Sequence, residues 1–191
     1  MQVNILDVDR STEIVTLEDA NEFQRITDTY DELVVSGCLD AAIDLVEQWL
    51  NRKLYPTQVM LQEENFSPEF ELSFPKVSSV VSQITAQNEE LEDFTFNIND
   101  YWKFDDVTSS IRFKASVYSE LEQYKNFRIT YTCGYCPDTN PVPPAVKHAI
   151  LMTASTLYEF REDAVTGTQI NNVPLQAQRL IAVHRVRPRG I

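Results

Sequence analysis

The chain has 191 residues, 29 of them acidic and 16 basic, which gives a formal net charge of -13. A balance this acidic argues against a general affinity for nucleic acid, which depends on clustered Lys and Arg. Three cysteines cannot build the disulfide framework of a small secreted domain, and no apolar run approaches the ~20 residues that span a bilayer.

At this length one domain, or one domain with a sizeable insertion, buries roughly 70% of its unfolded-chain surface, so the core needs no staples. The first twenty residues have neither a basic start nor an apolar run, so neither secretion nor membrane insertion is expected. The charge is unevenly placed. All 29 acidic residues and 12 of the 16 basic ones lie at or before Asp163, leaving -17 there and +4 on the last 28 residues, which contain no acid.

The stretch TLEDANEFQRI predicts a short amphipathic helix, with Thr16 as N-cap, Asp19 at its third position and Leu17, Ala20, Phe23 and Ile26 at helical spacing. After the turn TDTYD, residues 31–52 predict a second helix of about 33 Å, with Leu33, Cys38, Ala41, Ala42, Leu45, Trp49 and Leu50 on the buried stripe. From Thr57 the pattern changes to short alternating runs: QVMLQEE, FELSF, KVSSVVSQI, FTFNI, IRFKA and FRITYTC. These predict five to seven strands, with QNEELED as a hairpin tip or loop.

CPDTNPVPP ends the β region, and Pro143 and Pro144 suit the first turn of a helix, where a missing N–H costs little. That helix, AVKHAILMTASTLYEFRED, offers Val146, Ala149, Ile150, Thr153, Leu157 and Phe160 to a buried face. A polar loop, AVTGTQINN, precedes a last short helix, VPLQAQRLIAV, and the basic coda HRVRPRGI. The expected class is therefore α+β, a helical bundle built from N- and C-terminal helices with an inserted antiparallel β subdomain. The expected divisions are 1–56 helical, 57–136 the β insertion, and 137–191 the C-terminal helices and basic tail, packed with the N-terminal helices.

Candidate chemistry is sparse. Cys133 and Cys136 form a Cys-x-x-Cys, but PDTNPVPP follows instead of a helix whose N-terminus would lower a thiol pKa. A zinc site would need two further ligands from Cys38, His148 and His184, whose spacing fits no common finger. Adjacent acids such as Asp105 and Asp106, or Glu63 and Glu64, read as solvated faces. Four glycines leave no phosphate loop, and neither histidine has a serine motif to serve. No catalytic residue, metal or cofactor is therefore expected. Gly134 reads as the turn that ends the strand RITYTC.

The coda alternates Arg185, Arg187 and Arg189 with Val186 and Pro188, a pattern that puts the cations on one side of an extended segment. That suits a terminal segment lying along a partner protein. Phosphate contact is the other reading of the same arginines.

Three stretches, in order, resemble the head-tail connector, or adaptor, proteins of long-tailed bacteriophages and related gene transfer particles. The first is VTLEDANEFQRITDTYDELVVSGCLDAAIDLVEQWLNRKL, with its Asp-rich turn and the aromatic-x-x-Arg of Trp49 and Arg52. The second runs from FRITYTCGY to VPPAVKHAILMTASTLYEFRE, with Tyr131, Gly134 and Tyr135 in the turn, the pair Pro143 and Pro144, and a helix ending in Tyr158, Glu159 and Arg161. The third is VPLQAQRLIAVHRV, although Val183, His184 and Arg185 stand where the family often carries Pro-Tyr-Arg.

The resemblance implies a non-enzymatic virion subunit at the head-tail interface, present in the host cytoplasm during assembly. It implies a homo-oligomeric ring, commonly of twelve copies, that docks under the portal protein and joins it to a head-closure or tail-completion protein. DNA would pass through the channel without specific binding. His184, Arg185, Val186, Arg187 and Arg189 become the candidate portal contacts, and the turn asks for its tyrosines and glycine and not for thiols. The competing expectations are a DNA-binding phage accessory protein and a Cys-x-x-Cys dithiol oxidoreductase.

Overall fold

The structure is a computed structural model that describes residues 2–11, 13–26, 31–74, 80–97, 101–105, 110–136, 140–160 and 175–186. The chain divides into two compact units, Met1–Arg10 with Tyr55–Asn140, and Ser11–Leu54 with Pro141–Ile191. The class is α+β, as the order of sequence patterns implies.

The first unit holds eight strands among the described residues: β1 (Gln2–Val8), β2 (Thr57–Glu63), β3 (Glu69–Glu71), β4 (Val80–Gln87), β5 (Asp93–Thr95), β6 (Trp102–Asp105), β7 (Ser110–Phe113) and β8 (Lys125–Cys133). Five form one antiparallel sheet in the order β1-β2-β8-β4-β5, and three form a second in the order β3-β7-β6. A single helical turn, α3 (Tyr118–Leu121), precedes β8.

Strand alternation organises this core. Phe127, Ile129, Tyr131 and Cys133 point inward from β8, Val59 and Leu61 from β2, and Ile84 and Ala86 from β4, so the period of two aims one face of each strand at a shared interior. The second sheet adds Phe70, Trp102, Ile111 and Phe113 to the same cluster. The Trp102 indole N–H donates to the Phe96 carbonyl at 3.2 Å, satisfying the one polar atom that this ring brings inside.

Two strands went unrecognised in the sequence. The expected helical division 1–56 does not extend to its start, where Gln2–Val8 pairs with β2 and belongs with the sheet. The register slips between Ile5 and Asp7, and such a bulge breaks the apolar alternation that would mark a strand. The other is β6, whose four residues are too few to display a clear alternation and which is paired with β7.

The second unit contains α1 (Leu17–Gln24), α2 (Glu32–Leu50), α4 (Pro144–Glu159) and α5 (Leu175–Ile181). The start of α1 is a reciprocal capping box. Asp19 N–H donates to Thr16 Oγ1, and Thr16 N–H donates to Asp19 Oδ2, both at 3.0 Å. The bond from the Thr16 backbone holds the Asp19 carboxyl below its ordinary pKa. Thr16→Ala should cost about 1 kcal/mol in chemical denaturation of the intact chain, and an unchanged midpoint would contradict the capping role.

On α2 the buried stripe is Val35, Leu39, Ala42, Ile43, Val46 and Leu50, with the partnered acid Glu47 beside it. The expected stripe was mostly out of phase: Leu33 and Ala41 are exposed, and Cys38, Leu45 and Trp49 are only half-buried. The run LDAAIDLVEQWL is apolar enough on two sides that periodicity admits either phase, and packing against α4 selects one. Asn51 ends the helix in the left-handed conformation, at φ 52°. Glu47 then accepts the Leu54 N–H at 2.7 Å and the Lys53 ammonium at 2.6 Å, which fixes the chain as it leaves the helix.

Pro143 is the N-cap of α4 and Pro144 its first residue, in keeping with the missing N–H. Val146, Ala149, Ile150, Thr153 and Ala154 are buried on it, whereas Leu157 is half-buried and Phe160, expected inside, is 49% exposed. Phe160 is the C-cap and stands beyond the last helical turn.

Candidate interaction surfaces

The acid-free terminal segment leaves α5 through a 3-10 turn, Ala182–His184, and becomes extended at Arg185. Its path is pinned at one point. Val186 N–H donates to the Leu50 carbonyl at 2.9 Å, using one of the carbonyls left open where α2 ends. Ala177 and Ile181 are the buried residues of α5, and they hold the outgoing segment against the helical unit.

A shallow cleft of about 450 Å³ lies there, lined by Gln48, Trp49, Gln178, Ile181, Ala182 and Arg185. Arg185 is exposed, while His184 and Val186 are half-buried. These three of the five expected partner-contact residues are thus brought together at the C-terminal end of α2. Arg187 and Arg189 lie outside the described residues, so their one-sided arrangement with Arg185 stays a sequence expectation. Trp49, one half of the aromatic-x-x-Arg pair, lines the cleft; Arg52 has its Nε buried without a hydrogen-bond partner.

At the other end of the helical unit, the Tyr158 hydroxyl donates to Asp31 Oδ2 at 2.5 Å. This bond ties the end of α4 to the start of α2 and gives a physical task to the first residue of the Tyr-Glu-x-Arg stretch. Arg161 lies outside the described residues. His148, which had no catalytic motif to serve, has its ring edge-on to Phe23 at 5.5 Å between centroids.

The turn that follows β8 is built from residues with separate structural tasks. Tyr131 is fully buried and its hydroxyl donates to the Ser73 carbonyl at 2.5 Å. Burial pushes the pKa of this phenol up, and neighbouring Cys133 adds to the rise. Gly134 has φ +104°, and Tyr135 is buried behind it. Cys133 is 1% exposed, as the last inward residue of β8, and Cys136 exchanges backbone hydrogen bonds with Asn140 at 3.1 and 2.7 Å. Among the described residues, the next helix after Cys136 begins at Pro144.

Tyr131→Phe removes a hydrogen bond but keeps the ring. A loss of about 1 kcal/mol at pH 7 is expected in denaturant titration. A phenol whose pKa is raised by folding stabilises fully below the unfolded value near 10, and that contribution is lost as pH rises beyond it. Wild type should therefore lose more stability than Tyr131→Phe on going above pH 10, and equal losses would rule out this phenol as the source.

Two further clefts among the described residues are open and shallow. One of about 500 Å³ runs along α1 to Glu32, and one of about 380 Å³ lies between Asn65 and Lys125 in the β unit. Among the described residues, no three of His, Cys, Asp and Glu are grouped to hold a metal ion, and no helix is long and apolar enough to cross a membrane. Among the described residues, the helical unit presents an exposed, extended Arg185, a cleft lined by an indole and a guanidinium, and exposed apolar side chains on its helices.

The arrangement of two sheets and four main helices can be set beside solved structures. This chain has the fold of a chain from a gene transfer agent particle. The likeness to a chain of the neck of an empty particle, computed with C6 symmetry, has a TM-score of 0.72 at 17% identity, covering 100% of this chain and 98% of the other. A chain in the virion of the native particle gives the same figures. A chain in the neck of the native particle, computed with C12 symmetry, gives a TM-score of 0.68 at 17% identity and the same coverage. No protein-family profile and no curated protein matches the sequence. The shared fold spans both units and leaves no large part of either chain unmatched.

Proposed function

We propose that this protein is a non-enzymatic structural subunit of a phage-like particle, and within it a head-tail connector. In this reading identical copies form a ring under the portal and join the DNA-filled head to head-closure or tail proteins. The observation that carries the proposal is the end-to-end likeness to chains of gene transfer agent necks and virions, one of those necks computed with C12 symmetry. The fold resemblance and the three sequence stretches support it from independent directions.

The charge distribution fits the task. An acidic body lining a channel repels phosphate and lets DNA pass without being held, which favours rapid ejection. The acid-free last 28 residues carry the opposite charge, and His184, Arg185 and Val186, with Arg187 and Arg189 beyond them, are the proposed portal contacts. Their anchoring through Val186 to the end of α2 would present Arg185 outward in a defined position.

The test is binding to purified portal rings, followed by sedimentation and negative-stain imaging, of the intact chain and of a version ending at Val183. The intact chain should add a ring to the portal and the shortened one should not. If neither binds to demonstrably intact portals, the connector role falls. Charge reversal at Arg185, Arg187 and Arg189 should likewise weaken docking, and unchanged docking would remove the basic segment from the interface.

A further inference from the structure

Two helix surfaces in the second unit carry apolar groups that the subunit itself leaves in water. One surrounds the start of α2. Leu33 is 86% exposed, Val34 is also exposed, and Phe160 is brought to the same end by the bond between Tyr158 and Asp31. Its flanking charges are predominantly acidic: Glu32 and Glu159 are exposed beside those side chains, and in the cleft that Glu32 lines Glu18 and Glu22 outnumber Arg25. The other is the outward face of α5 and the turn after it. Arg179, Leu180 and Val183 follow one another at helical spacing opposite the buried pair Ala177 and Ile181, and Val183 is 84% exposed. This face lies within the segment that contains no acid.

Scattered surface leucines need no explanation, but these two patches share properties that scattered residues do not. Each couples apolar area to a predominant sign of charge, and the predominant signs are opposite. They lie on different elements, so they cannot meet their own counterparts in a two-fold contact that also pairs the charges. A contact in which each copy uses one patch toward one neighbour and the other patch toward the next is head-to-tail, and such a contact closes into a ring when its rotation allows. Gly37 adds to the case. It sits inside α2 on the exposed side, nothing lies within 4 Å of where a Cβ would be, and glycine is among the poorest helix formers. The subunit has no internal need for it, whereas a neighbouring chain lying close against α2 would.

We propose that the acidic, apolar start of α2 in one copy docks on the basic, apolar outer face of α5 in the next copy, with Leu33 and Val34 against Leu180 and Val183 and Glu32 facing Arg179. This rests on the ring reading above and names the surfaces that would build the ring. The portal contacts, which begin at His184, remain available on the same subunit.

The experiment is a charge-swap cycle on the full chain, read by sedimentation velocity over a range of concentrations, alone and with purified portal rings. Glu32→Lys and Arg179→Glu each put like charges opposite one another and should weaken self-association about tenfold or more. The double variant restores a complementary pair and should recover association to within about threefold of wild type. Circular dichroism checks that each variant folds, as expected for exposed positions. If the single variants associate like wild type, or the folded double variant does not recover, this interface is wrong while the ring itself stands. If wild type forms no multimer either alone or on the portal, the ring reading falls and this proposal falls with it.

Discussion

Gly134→Ala is expected to destabilise the β unit by about 3 kcal/mol or more, enough to remove much of a typical domain's stability. Two costs act together. At φ +104° an L side chain is strained whatever space surrounds it, and the added Cβ would lie 2.0 Å from the Tyr55 carbonyl oxygen and 2.7 Å from its carbon. Those atoms belong to the backbone that leads into β2, so they cannot swing aside as a flexible side chain would. Relief would require moving the start of β2 away from the end of β8, where Thr57 pairs with Cys133. In a Trp49→Phe background Trp102 is the one tryptophan left and reports on the β unit. The denaturation midpoint followed at Trp102 should fall sharply. A midpoint within experimental error of wild type would show that this turn adapts.

Phe127→Ala should cost about 3–5 kcal/mol, the range for deleting a fully buried aromatic ring from a core. Phe127 has no accessible surface, and its ring lies 5.7–6.2 Å from those of Phe66, Phe70, Phe96 and Phe113. These neighbours come from the second sheet and from the connections between strands, while Phe127 itself belongs to the first sheet. No single neighbour can close the void, so the cavity persists and the full cost is felt. Phe94→Ala supplies the control, because Phe94 sits on an edge strand and is already partly exposed. Equal effects from the two variants would contradict the placement of the core.

The alternation in FRITYTC was strong enough to mark β8 because a central strand lined with Phe127, Ile129 and Tyr131 must bury one face along its whole length. The capping box of Thr16 and Asp19 and the proline start of α4 were equally legible, since caps are local chemistry between residues three or fewer apart. Gly134 was identified as a turn for the same reason. The phase of α2 was not, because its apolar residues populate two adjoining faces and only the packing of α4 decides between Leu33 and Val35. That error hid one of the candidate surfaces, as Leu33 and Phe160 were assigned to the interior.

The partner-contact residues His184, Arg185 and Val186 stood out in the sequence through charge alone. Their anchoring did not, because the bond from Val186 to Leu50 joins residues 136 positions apart. Likewise β1 carries no clear strand pattern of its own until β2 is placed beside it.

The sequence by itself determined the order of the four main helices and of six of the eight described strands, the caps and the tail's opposite charge, because these depend on neighbours a few residues apart and on composition. Only the tertiary structure decided which face of each helix is covered, where Gln2–Val8 belongs and which apolar side chains remain in water. Burial is a property of pairs of surfaces, and one surface does not specify the other until both are folded.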